Sequence, residues 1–245
     1  PYSAGHLPDS QKAQLQQFYD YFGEPTTRSR NTIVINDLSQ NAGTEMLSTV
    51  NTTIPGEYAI SSNMDIVSGT FTAGYGSIMA THKRRILFDK ILKLWVIIDT
   101  IGNVTQSLHI SQVWNFPPNN PSAKSPDGFA ESAVLFDSGN HRVYTNDGAQ
   151  NPQIEIIHPN KDVSYQKYYG TTGSVYRGWY SPSIVSERVP KVDIYCNKTI
   201  SAAGSIITVI NPIPPNSVNQ KVTIVSSSTT QLVIKKSNVT QQYTL

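Results

Sequence analysis

The sequence predicts an all-β chain: antiparallel, sandwich- or barrel-like domains with one short N-terminal helix. Short β-branched and aromatic runs recur along most of the 245 residues, 15 Gly and 15 Pro punctuate them, and helical periodicity stands out only near the start. Charged residues make up 15%, against about 25% in ordinary globular chains, while Ser, Thr, Asn and Gln fill 81 positions. The polar surface is therefore built mainly from neutral groups. With 38% hydrophobic residues there is enough apolar mass for a core, so low charge does not mean disorder here.

Pro8, Asp9 and Ser10 offer an N-cap, and Leu15, Phe18, Tyr19 and Phe22 follow at helical spacing until Gly23 and Pro25 end the element. This stripe either packs on the chain's own sheets or forms a seam between identical subunits. From Asn31 the signals are strands: Thr32 to Ile35, Glu57 to Ile60, and the Gly- and Thr-rich stretch from Gly69 to Ala80. Leu94 to Ile98 reads as a buried strand, with Asp99 to Asn103 turning it into a second strand from Val104 to Ile110. The four prolines between Asn115 and Asp127 predict an extended loop and a hinge. Ala133 to Phe136, Arg142 to Tyr144 and Ile154 to Ile157 are strands separated by Asp137 to Asn140 and Asn146 to Gly148, both turn sequences. Lys191 to Asn197, Ser205 to Ile210, Lys221 to Val225 and Gln231 to Lys236 complete the series. The organisation expected is a helix and linker over 1–30, a β domain over 31–189 and a sandwich-like region over 190–245.

Several functional classes drop out. A net charge of +2, without a concentrated basic face, argues against nucleic acid. The most apolar stretch, Ile86 to Ile101, contains Asp89, Lys90, Lys93 and Asp99, so no membrane insertion is expected. One cysteine, Cys196, excludes an internal disulfide and a cysteine-rich metal cage; it reads as a buried, inert thiol. His6, His82, His109, His141 and His158 lie far apart without metal-ligand spacing and read as surface or loop residues, so neither metal nor cofactor is expected. No nucleophile elbow is present, and the 17 acidic residues form no paired-carboxylate signature, so no catalytic residue is assigned. Lys83-Arg84-Arg85 is the one basic cluster, read as a solvated strand end or a protected edge, with contact to an acidic surface polymer as the alternative.

The strongest binding signal is aromatic. Tyr168, Tyr169, Tyr176, Arg177, Trp179 and Tyr180 crowd into a short Gly-rich segment, and their flat faces with polar edges suit stacking on sugar rings. The alternative is that about half of them are core.

The order Ile35-Asn36-Asp37-Leu38, then Thr52 to Tyr58 with its Pro55-Gly56-Glu57-Tyr58 turn, then Ile98 to Val104, then Val113-Trp114-Asn115 resembles the knob modules of bacteriophage tail-fibre and baseplate receptor-binding proteins. That resemblance implies a homotrimeric, non-enzymatic adhesin on the virion, extracellular-facing and joined to other virion proteins, which binds host-surface saccharide without cleaving it. Two other readings stay open: a jelly-roll capsid or minor capsid protein, and a polysaccharide depolymerase.

Overall fold

Period-two alternation of side chains sorts this chain into layers. The computed structural model describes residues 27–41, 58–118, 128–146, 153–172, 176–183, 187–214, 217 and 220–245. Its strands are β1 (Ile33–Ile35), β2 (Tyr58–Ile60), β3 (Met64–Phe71), β4 (Thr81–Asp89), β5 (Leu94–Gly102), β6 (Leu108–Asn115), β7 (Val134–Asp137), β8 (Arg142–Thr145) and β9 (Gln153–Ile157). They continue as β10 (Ser164–Tyr169), β11 (Trp179–Ser183), β12 (Glu187–Pro190), β13 (Val192–Ile200), β14 (Gly204–Ile213), β15 (Val222–Ser227), β16 (Gln231–Lys236) and β17 (Val239–Thr244). The all-β, antiparallel class is as expected, and the last four strand expectations correspond to β13 to β16. The expected N-terminal helix lies outside the described residues, as does most of the proline-rich loop.

A front sheet has the order β1-β6-β13-β10, a central sheet runs β2-β3-β4-β5-β14-β9-β8-β7, and a back sheet comprises β15-β16-β17. Strands from either side of Pro190 interleave in the front and central sheets. Ile33, Ile110 and Ile194 of the front sheet meet Ile97, Ile156 and Ile206 of the central sheet in one core. Leu87, Val96 and Val209, on the opposite surface of the central sheet, meet Leu232, Ile234 and Tyr243 of the back sheet in a second. Burial on both faces explains why β5 reads Leu-Trp-Val-Ile-Ile without clean alternation.

Between the front and central sheets lies a chain of buried polar groups. Asp99, fully buried, accepts from His82 Nε2 and from Arg84 Nε on Oδ1, and from Arg84 Nη2 and Gln112 Nε2 on Oδ2, each at 2.7 Å. Gln112 Oε1 in turn accepts from Trp114 Nε1, Thr208 Oγ1 and His158 Nε2 at 2.8–3.0 Å. Because Gln112 Oε1 can only accept, His158 carries its proton on Nε2, and its Nδ1 is left to accept from the Tyr165 hydroxyl at 3.0 Å. Burial, aided by the nearby charge of His141 and opposed by Asp99, pushes the His158 pKa down to about 3. Burial alone would raise the Asp99 pKa, but the hydrogen bonds from His82 and Arg84 and their charges hold it far below the usual carboxylate range.

This network corrects three expectations. His82 and His158 are core residues, 4% and 1% exposed. Asp99 sits inside β5, which pairs with β14 through Ile101 and with β4 through Gly102, so the turn begins only at Asn103, where φ is +54°. Lys83-Arg84-Arg85 lies inside β4 between β3 and β5; it is neither a strand end nor a sheet edge. Single-sequence patterns miss such sites because a buried charge is tolerated only through partners on neighbouring strands, which no local spacing reveals.

Candidate functional site

Among the described residues, the outer surface of the front sheet gathers a dense cluster of ionic and aromatic side chains, most of them buried or half-buried. It begins at a tight hairpin turn, where Asn36 and Asp37 take φ of +48° and +59° and Leu38 N donates to Ile35 O at 2.8 Å. Asn and Asp tolerate this left-handed geometry, which suits the twist of a two-residue hairpin. The Asn36 carboxamide accepts from His109 N at 2.7 Å and ties the turn to β6. Asp37 is thereby held against Arg177, whose Nη2 donates to Asp37 Oδ1 at 2.7 Å, while Arg28 Nη2 donates to the Asp37 main-chain carbonyl.

Beneath Arg177 lie two rings. Its guanidinium stands 4.8 Å from the Tyr168 centroid and 5.4 Å from that of Tyr195, and the rings meet edge to face at 5.0 Å and 77°. Register explains the meeting: Tyr168 opposes Asp193, so Tyr168 and Tyr195 project from the same surface of adjacent strands β10 and β13. Tyr195 is 2% exposed, and burial followed by the charge of Asp193 raises its phenol pKa well above 10, so it keeps its proton at neutral pH. Its hydroxyl lies against Arg177 without a hydrogen bond of ordinary geometry, and the Nε atoms of Arg177 and Arg28 are also buried without hydrogen-bond partners.

Gly178 fixes this arrangement. At φ +72°, its N–H donates to Asp193 Oδ2 at 2.6 Å and its carbonyl accepts from Gly170 N and Lys191 N at 2.8 and 2.9 Å. A Cβ there would lie 2.8 Å from three backbone atoms, so glycine is required. Lys191, 5% exposed, donates to Asp193 Oδ1 and Asn115 Oδ1 and closes the polar floor.

Of the six aromatic-segment residues expected to bind saccharide, the structure brings Tyr168 and Arg177 together here. Trp179 is a strut: its Nε1 donates to Thr171 O at 3.0 Å, and its ring lies over Gly170. Tyr176 is buried, Tyr169 projects from the opposite surface of β10, and Tyr180 is 42% exposed on β11. Asp37, Arg28, Tyr195, Lys191 and Asp193 had no sequence signal as a group, since only the β1-β6-β13-β10 pairing assembles them. Among the described residues no group of three or more His, Cys, Asp or Glu side chains could hold a metal ion, and no helix is long and apolar enough to cross a membrane. Chemically, the face offers fixed guanidiniums beside a protonated phenol, a set suited to a carboxylate or sulfate.

No family model and no curated protein sequence matches the chain. Solved structures do. A heparan sulfate lyase, HepC, from Pedobacter heparinus is similar over 98% of this chain with a TM-score of 0.66 and 15% identity. A heparinase III gene product is similar over 99% with a TM-score of 0.59 and 13% identity. In both cases the chain spans 33% of the other protein's length. These neighbours overturn the expectation of a non-enzymatic phage-tail adhesin and viral structural protein: what this β architecture is similar to is part of polysaccharide-degrading enzymes. The error has a physical source, because neutral polar strands with ring-bearing loops suit a saccharide-facing surface whether or not the sugar is then cleaved. At this identity the likeness establishes a shared β fold.

Proposed function

We propose that this chain is a β region of an enzyme that cleaves an acidic polysaccharide, and that the Arg28 and Arg177 face receives the acidic group of the sugar. One observation carries the reading: nearly the whole chain is similar in fold to a third of a heparan sulfate lyase. The front face supports it chemically. Asp37 already places a carboxylate on Arg177, and with its side chain 59% exposed it forms a solvent-screened pair that an incoming carboxylate or sulfate can replace at little cost. An elimination that cuts a uronic acid chain passes the proton on the carbon beside the carboxylate to a base, forms a carbon–carbon double bond and expels the glycosidic oxygen, which takes up a proton; a guanidinium on that carboxylate stabilises the charge that develops. Tyr195 keeps its proton and serves as the floor beneath Arg177, not as a base.

The test is binding of heparan sulfate to the chain by affinity electrophoresis, with a neutral glucan as control, alongside ultraviolet detection of the unsaturated sugar end that a lyase leaves. Retardation by heparan sulfate alone is expected, stronger for Asp37→Asn and about tenfold weaker for Arg177→Ala. Equal behaviour with the neutral and acidic polymers would refute the reading.

A further inference from the structure

The back surface of the central sheet carries a second feature that the front face does not use. Lys83 and Arg85 flank the inward-facing Arg84 on β4 and therefore project to the opposite surface. The back sheet covers Leu87 and Val96 but leaves the neighbouring stretch open as a groove of about 400 Å³. Ile66 and Ile98 form its apolar floor, Ser68 and Thr100 supply hydroxyls, Lys83 and Arg85 supply charge, and Tyr58 stands at its rim, 60% exposed. Among the described residues, no acidic side chain lines it. Arg85 is oriented by one bond, from Nη1 to the Thr244 carbonyl at 3.0 Å, and Thr100 by its contact with Ser205 Oγ at 3.0 Å.

An exposed aromatic face, two cations of like sign about one strand repeat apart, paired hydroxyls and a shallow apolar floor match one ligand class. We propose that this groove is a second binding site for an acidic saccharide unit, lying across two sheets, roughly 20 Å, from the Arg177 face. The proposal rests on the reading that the chain meets an acidic polysaccharide. Two sites on one polymer raise the effective concentration at each, so the groove would hold the chain near the cleavage site without taking part in chemistry.

The experiment compares the unaltered protein, Lys83→Gln/Arg85→Gln and Arg177→Ala. Each is titrated with a heparan sulfate oligosaccharide, and acetylation of Lys83 by a lysine-directed reagent is followed by mass spectrometry with and without the sugar. Expected are protection of Lys83 that survives in Arg177→Ala, roughly tenfold weaker binding by the double variant, and an unchanged thermal transition in that variant. Equal acetylation of Lys83 with and without bound sugar, or undiminished affinity of the folded double variant, would overturn the groove while leaving the front face standing. Loss of all binding in Arg177→Ala alone, with Lys83 unprotected, also overturns it. Failure of the unaltered protein to bind any acidic sugar would sink both readings.

Discussion

Acid should destabilise this fold through His158 before it reaches the carboxylates. His158 is neutral in the folded chain down to about pH 3, whereas an unfolded histidine titrates at 6.5. Below 6.5 the unfolded chain therefore binds a proton that the folded chain refuses, and stability falls with pH until the folded value is reached. At about pH 5 this amounts to roughly 2 kcal/mol, at about 1.4 kcal/mol per unit. His158→Gln removes the titrating group while its amide can still donate to Gln112. Urea unfolding followed by circular dichroism, from about pH 7.5 to about pH 5, should show the unaltered protein losing roughly 2 kcal/mol more than the variant, with unchanged slopes. Parallel stability curves for the two proteins would refute the reasoning, since they would mean that His158 takes up its proton equally in both states.

Three further outcomes follow from the same structure. Asp99→Asn strips the charge that Arg84 and His82 share and should cost about 3–5 kcal/mol, read as a lowered urea midpoint at neutral pH. Gly178→Ala forces a Cβ against three backbone atoms at a left-handed φ and should cost roughly 3 kcal/mol, visible as a lower thermal transition. Leu232→Ala empties a fully buried position between the back and central sheets and should cost about 2–5 kcal/mol in the same assay.

The sequence made the strands legible because β-branched runs and turn residues act locally. Asp137 to Asn140 is a turn by its own chemistry, with Asp137 Oδ1 accepting from Asn140 N at 3.1 Å. Within the aromatic segment Tyr168 and Arg177 meet on the sheet surface that register chose, which no spacing within the segment reveals. His82, Asp99 and His158 were illegible for a different reason. Each is unfavourable in a core by itself and becomes tolerable only when strand pairing and packing deliver Arg84, Gln112 and Tyr165 to it.

The tripeptide Lys83-Arg84-Arg85 shows how far a strand's two-residue period carries an argument about function. Read as a charge run, it has one character, facing water or an acidic polymer with all three side chains alike. Once β4 is placed between β3 and β5, its middle residue must enter the core, where only a buried carboxylate makes a guanidinium acceptable; Asp99 on β5, cross-strand from Arg84, meets that need. The outer pair must then point away from Asp99 and cannot be neutralised by it. Their side chains line the groove on the central sheet's back surface. A substitution at Arg84 should therefore be felt in stability and one at Lys83 or Arg85 in ligand affinity, although the three are adjacent. Measuring both quantities for Arg84→Gln and Arg85→Gln tests that separation directly: a loss of stability for Arg85→Gln as large as for Arg84→Gln would mean that the alternation does not divide the two roles.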